Sequence, residues 1–352
     1  MNRNGIFSNQ VWASAGSKAG FRAWIIELPQ LWRMDLLKSF LSISIPAILF
    51  AAAASAPAAQ LSTEARTAIP HDVQQLVAID YHAMENSPSA MDLRARVMPP
   101  ELKRFEEALQ KSGLNENHDV EQLAFALFRP SSEGDQLDTV GVAQGQFSVQ
   151  DILANFRKQQ VKAKLVRTNR VWPLAKTGMV VCFVNPSTMV FGDLDAVSKA
   201  LDARDGLAPN VLTNAPMMDA MNSVDSDPLW SILDQKGTQT MMKQVLGEAG
   251  SLTDYESVQK RLLASWYSMN FQHGVKFNLT ISTGDTFAAA TLSTLLTAAL
   301  TVRKMSGSDA EKQALSATSI SSDSGHLSIH FSTSDAEFSS LLQSPLFHGI
   351  VR

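Results

Sequence analysis

Two rhythms of apolar residues run along the chain and mark its elements. Residues 275–282 and 326–332 keep a period of two, with Val275, Phe277, Leu279 and Ile281, then Leu327, Ile329 and Phe331, separated by polar residues. That alternation predicts strands with one face on a core and the other toward water. Residues 75–81 (QLVAIDY) read as a further strand, and 179–184 (MVVCFV) form an unbroken apolar run typical of a buried one. Helical spacing appears at 101–111, where Leu102, Phe105, Ala108 and Leu109 make a stripe closed by Gly113. Before it, a helix over 88–98 starts on Ser87 as cap with Pro88 in the first turn, and Pro99-Pro100 stops it.

The remaining first-half elements are strands at 122–128 and 138–147 around a turn at 130–134, a helix at 149–160, and strands at 164–172, 179–184 and 188–191. A helix capped by Asp193 or Asp195 then runs through Leu201. Residues 60–72 read as a polar lead-in. The second half repeats this order. A strand at 229–233 precedes helices at 238–246 and 254–263, a strand at 266–271, and a His273-Gly274 turn into 275–282. Helices at 285–304 and 309–317 lead to a strand at 318–321, a turn at Asp323-Ser324-Gly325, the strand 326–332 and a helix at 334–342.

Each half therefore reads β-α-α-β-β-α-β-β-α, a repeat of element order and hardly of residue identity. The expected fold class is α+β, with two tandem pseudo-repeated units, 60–203 and 217–352. Each would be a mostly antiparallel sheet covered by helices on one face. Residues 204–216 form the linker, holding Gly206, Pro209, Asn210 and Pro216.

Composition changes the picture first at the N-terminal side. Residues 36–59 (LLKSFLSISIPAILFAAAASAPAA) carry one charge, Lys38, just before an apolar core at 40–50. A core of that length lies within the ~7–15 residues of a secretory signal and short of the ~20 of a spanning helix. Residues 34–59 are therefore read as a signal peptide. Small residues around Ala56-Pro57-Ala58 suit a signal peptidase, and Pro57 moves the cut to near Ala58 or Ala59. Residues 1–33 read as an upstream extension, with Met34 as the start. Their Trp12, Trp24 and Trp32 with Arg3, Lys18 and Arg22 offer an interfacial helix as the other reading. If the segment is retained, the protein is anchored in the inner membrane; if it is cleaved, the protein is periplasmic or secreted.

Residues 1–59 hold five Lys or Arg and two acidic residues, so 25 of 30 basic and 32 of 34 acidic residues remain in the other 293, net −7. An acidic body argues against nucleic acid or an anionic membrane as the main partner. The chain has one cysteine, Cys182, inside the run 179–184. It reads as a core residue, and no disulfide can form within one chain. Stability must then come from burial, which this length can supply.

Candidate chemistry is sparse. His326 and His330 are four apart, but on a strand that spacing spans ~13 Å, too far for two ~2.0 Å bonds to one metal ion. Asp323-Ser324-Gly325 is turn chemistry rather than a nucleophile site, since no G-x-S-x-G elbow surrounds it. His71 and Asp72 are adjacent, but on an extended segment neighbours point opposite ways. His82 and Glu85 follow the first strand in the same manner. Met217, Met218, Met221, Met241 and Met242 read as core filler, with an adaptable binding surface as the alternative. Trp230 and Trp266 read as buried anchors on strands, and Asn278-Leu279-Thr280 matches a glycosylation sequon inside a strand. No phosphate-loop, dinucleotide, C-x-x-C, H-E-x-x-H or S-x-x-K motif is present. No catalytic, metal or cofactor residue, and no cofactor, is assigned.

The segments Ala68-Ile69-Pro70-His71-Asp72, Leu76 to Asp80 and Asp227-Pro228-Leu229-Trp230, with the closing strand–turn–strand–helix of 318–342, carry a resemblance. The chain resembles exported α+β proteins of acidobacteria and similar soil bacteria, a domain of unknown function. The resemblance implies export and carries no catalytic residue. The leading expectation is a non-enzymatic envelope or periplasmic module that binds an envelope protein or a small ligand. The alternatives are an exported hydrolase assembled from distant residues such as His71, Asp72 and His273, and a membrane-tethered accessory subunit.

Overall fold

The computed structural model describes residues 58–97, 119–129, 137–174, 178–246 and 255–344. Residues 1–57, with most of the expected signal peptide at 34–59, the expected 101–111 helix and the expected 130–134 turn lie outside them. Chain order begins with α1 (Thr63–Thr67), β1 (Val73–Asp80), α2 (Tyr81–Glu85), α3 (Pro88–Val97), β2 (Val120–Phe128) and β3 (Asp138–Gly145). Then come α4 (Val149–Lys158), β4 (Lys164–Val166), β5 (Asn169–Pro173), β6 (Met179–Asn185), β7 (Thr188–Asp193) and α5 (Leu194–Arg204). After a 3-10 turn at Val211–Thr213 follow α6 (Ala215–Asn222), β8 (Leu229–Leu233), α7 (Gln235–Leu246), α8 (Tyr255–Gln259), β9 (Leu262–Asn270) and β10 (Val275–Thr283). The last elements are α9 (Thr286–Ser306), α10 (Asp309–Ser316), β11 (Thr318–Asp323), β12 (His326–Thr333) and α11 (Asp335–Leu342).

The fold is α+β, and its strands form one antiparallel sheet rather than one sheet per half. Among the described residues the order is β11-β12-β10-β9-β8-β1-β2-β3-β7-β6-β5-β4, with β1 against β8 at the seam. Local differences from the sequence pattern have plain causes. The stretch 60–72 holds a helix, because the Ser62 hydroxyl accepts from the Ala65 N–H and Leu61, Ala65, Ala68 and Ile69 are buried. The strand expected over 164–172 folds back on itself as β4 and β5, with Arg167 at φ 53 in the turn. The helix expected over 254–263 ends at Gln259, and β9 starts at Leu262.

Cross-strand register shows how the sheet is buried. On one face Val77, Ile79, Phe125 and Leu127 join Tyr267, Phe277, Ile329 and Phe331 in a core closed by α2, α3, α4 and α7 through α11. The other face is covered over its first-half side only. There α1, α5, α6 and Val211 cover Leu76, Ala78, Ala126, Val142, Val190 and Trp230. Helices thus lie on both faces across the middle, where helices on one face were expected. That is why all eight residues of β1 are buried. The stretch 204–216 is packed too: Val211 is buried, its N–H donates to the Ile69 carbonyl at 2.9 Å, and Pro70 bridges Asn210.

Candidate functional site

The candidate site grows out of that half-covered face. Follow one row of directly opposed residues across it. From β6 inward it reads Cys182, Val190, Val142, Ala124, Ala78 and Trp230, all buried. Past Trp230 the same row continues as Ser268, Asn278, His330 and Ser319. A parallel row turns from Val140, Ala126, Leu76 and Ile232 to Trp266, Thr280, Ser328 and Ser321. Composition switches at β9, and the cover ends just beyond it, Ser268 being still buried. Asn278, His330, Ser319 and Ser321 are exposed, while Trp266, Thr280 and Ser328 are half-buried. Apolar rows need a lid and polar rows do not, so the switch follows from hydration.

Specific contacts order this open face. The His330 Nδ1–H donates to Asn278 Oδ1 at 2.8 Å. The Trp266 and His326 rings meet edge to face with centroids 6.1 Å apart. Lys276 is exposed beside Ser332 and Asn270, and Asn270 Nδ2 donates to Asp227 at 3.2 Å. The face thus offers hydroxyls, an amide, two imidazoles and one indole on a rigid sheet. Such groups can exchange hydrogen bonds and ring contacts with a partner. Among the described residues no group of three or more His, Cys, Asp or Glu is placed to hold a metal ion.

The residues singled out by sequence scatter. His71 Nδ1 pairs with Thr213 Oγ1 at 2.9 Å, and Asp72 is bonded to Lys199 Nζ at 2.6 Å, both at the start of β1. His273 sits in the β9–β10 turn at φ 59. Because β1 and β9 run the same way, that turn is at the far end of the strands, about 26 Å off for eight residues. The fold does not bring the three together. His82 and Glu85 are exposed on α2. Ser324 and Gly325 form the β11–β12 turn at φ 49 and 82, which is hairpin geometry. Met217, Met221, Met241 and Met242 are buried, as filler should be. Trp230 is a buried anchor, but Trp266 is half-buried on the open face, a correction to its reading as a second anchor. Ala58 and Ala59 belong to the folded body: Ala59 is buried, its N–H donates to the Asp227 carbonyl, and its carbonyl accepts from the Trp230 indole at 3.0 Å.

Titratable groups with displaced pKa values lie elsewhere. Burial raises Asp80 and Asp234, whose carboxylates cap α2 and α7 through the Ala83 and Gly237 N–H groups. Backbone donors lower Asp285 and Glu337, which cap α9 and α11. Burial pushes the Cys182 thiol up to about 11, which makes it a poor nucleophile. These shifts belong to architecture. A cavity of about 150 Å³ lies between α10, α11 and β12, lined by Gln313, Phe331 and Glu337. It is below the ~300 Å³ of small-ligand pockets, and Glu337 there is already bonded to Gln313 and Thr333.

One other surface stands out. The outward side of α9 carries Phe287, Val302 and Met305, 73%, 65% and 79% exposed. Thr291, Thr294, Thr297 and Thr301 donate their hydroxyls to carbonyls one turn back. Among the described residues no helix is long and apolar enough to cross a membrane.

No protein-family model matches the chain, and no curated protein matches it. Among solved structures it is similar to TP0453. Crystal form I has a TM-score of 0.43 at 10% identity, covering 79% of this chain and 95% of that one. Crystal form III gives 0.41 at 10% identity, covering 79% and 96%.

Proposed function

We propose that the chain is an exported, non-enzymatic binding module of the periplasm or outer envelope that holds a protein or ligand on the open sheet face. The observation that carries this reading is the change of composition at β9. One face of one sheet is lidded up to β9 and polar and more open beyond it. The leader at 34–59 motivates export. The cut is read as falling after Ala58 or Ala59; one after Ala58 keeps the Ala59 bonds to Asp227 and Trp230 in the mature body but gives up the Ala58 carbonyl that accepts from Gln122.

We also read the chain as two pseudo-repeated units meeting at β1 and β8. The order β1-β2-β3-β7-β6 on one side and β8-β9-β10-β12-β11 on the other supports that reading.

The test has two arms. N-terminal sequencing of the envelope-recovered protein should begin at Ala59 or Gln60; an intact leader in the cytoplasmic fraction rejects export. Envelope extracts are then passed over the wild-type protein and over a Trp266→Ala/His330→Ala variant whose thermal melt shows it folded at the assay temperature. Binding through the face requires a species retained by the first and lost by the second; equal retention rejects it.

A further inference from the structure

The two free edges of the sheet are unlike each other. β4 is three residues long, carries Lys164 at its start and runs into Arg167, which is ion-paired to Asp202. Short, basic edges resist pairing with other chains. β11 is six residues long, and TSISSD holds no lysine or proline. It pairs with β12 in unbroken register from Thr318 to Asp323, with no bulge to twist the edge away. Among the described residues no strand lies on its outer side. The strand is also held firm. Thr318 Oγ1 donates to the Ala314 carbonyl, and the Gly325 carbonyl of the hairpin turn accepts from both the N–H and the hydroxyl of Thr283.

The molecule itself displays what such an edge takes. In the first half β6 stands where β11 stands in the second, two strands out from β3 as β11 is from β10. β6 is not bare, because β5 pairs with it antiparallel, setting Trp172 against Val181 and Pro173 against Val180. β5 thereby delivers Trp172 onto the helix-covered face, where its ring stacks on Phe156 of α4 at 6.3 Å and meets Phe183 at 6.1 Å. In the second half α9 follows β10 as α4 follows β3 and packs over β11, with Ile320 only partly buried beneath the helices. Among the described residues there is no counterpart of β5 there.

We propose that the outer edge of β11 binds an extended segment of a partner protein as an added antiparallel strand. That segment has a large apolar or aromatic side chain facing Ile320 and a basic residue at its start, beside exposed Asp323, the one charge on β11. Area decides between this occupant and a second copy of the chain. A six-residue strand is about 20 Å long. Laid on this edge it buries on the order of 300 Å² per partner, far below the ~800 Å² of a stable interface. That suits peptide capture at micromolar affinity rather than a standing dimer. This deepens the binding reading given above but uses the edge and not the face, so the two fail separately.

The probe is a fluorescein-labelled hexapeptide, Lys-Val-Thr-Trp-Thr-Val, added to the full mature chain. Its lysine falls opposite Asp323 and its tryptophan opposite Ile320. Anisotropy should give a Kd of tens to hundreds of micromolar, with slowed hydrogen exchange over 318–323. Ser322→Pro, which removes an N–H on the outward side of the β11–β12 ladder, should weaken binding at least tenfold, and Thr280→Arg on the open face should leave it unchanged. If Ser322→Pro fails to fold, the same peptide N-methylated at alternate nitrogens gives the answer from the ligand side, again with at least a tenfold loss. No binding at 1 mM, equal binding of the methylated peptide, or protection on β4 instead of β11 would overturn the proposal. So would a stable dimer in light scattering whose contact protects β11, since the edge would then hold a second copy. Loss of the face interaction with peptide binding intact would sink the open-face reading alone.

Discussion

The two sides of the β1–β8 seam end differently. After β7, α5 crosses to the second face and lays Ala196, Val197, Ala200 and Leu201 over Val142, Val190 and their neighbours. After β12, α11 stays on the first face, where Phe338 and Leu342 join the large core beside α3 and α10. β7 ends at Gly192 and Asp193, the glycine at a φ of 146 that a side chain rarely adopts, and Asp193 is the N-cap position of α5. A capping box of Ser334 and Glu337 turns it after β12. The difference teaches that one helix decides which face of a sheet is interior. The residues beneath then match it, Val and Cys under the lid and Ser, Asn and His in the open.

The strongest way to break this comparison is to place one charge in each region. Val142→Asp buries an unpaired carboxylate beneath α5 and should cost more than about 4 kcal/mol, enough to unfold most molecules. Thr280→Asp sits on the same face of the same sheet and should stay within about 1 kcal/mol. Urea titrations of the two variants give both numbers. Comparable losses would mean that the second-half face is covered in solution.

The two tryptophans sharpen the boundary. Trp230 is fully buried, and Trp230→Ala should cost about 3–5 kcal/mol through the cavity it leaves. Trp266, the next large residue outward, should cost about 1 kcal/mol on the same change, the edge contact with His326 being its main specific loss. An effect smaller than that of Trp230→Ala belongs to the N-terminal side. A chain beginning at Gln60 lacks the Ala59 carbonyl and leaves the buried indole donor of Trp230 unpaired. It should melt with about 1–3 kcal/mol less stability than one beginning at Ala59. Equal melting would show that another acceptor replaces Ala59.

Much of this contrast was legible in the residues. Val275, Phe277, Leu279 and Ile281 alternate with Lys276, Asn278, Thr280 and Ser282, which says that β10 is covered on one side. The run MVVCFV says as directly that β6 is interior. The joining of two halves into one sheet was not legible, because it depends on β1 and β8 pairing over 150 residues of intervening chain, and neither strand marks its partner. Nor was the side taken by α5, since an apolar stripe fixes which way a helix faces and not which surface it meets. The lead-in 60–72 misled because its apolar residues are few and small. Leu61, Ala65, Ala68 and Ile69 suffice to seat one short helix, but too few turns pass to set a rhythm.

The finest test concerns what holds α11 to the first face. Glu337 accepts from the Ser334 N–H at 3.0 Å and from Thr333 Oγ1 at 2.7 Å. These donors, the backbone one first, hold its pKa below the ordinary glutamate value. A lowered folded pKa means that the carboxylate stabilises the fold above the unfolded pKa, near 4.3, and that this stability is lost as pH falls through the folded value. The side chain is largely solvated, so screening reduces the effect. Glu337→Ala should cost about 0.5–1 kcal/mol at pH 7, and the gap to wild type should close as pH falls below about 4. Thermal melts of both proteins from pH 7 to pH 3 measure it. A gap that persists at pH 3 would assign the loss to packing of the Glu337 stem, and the helix would owe its place to the apolar contacts of Phe338 and Leu342 rather than to the cap.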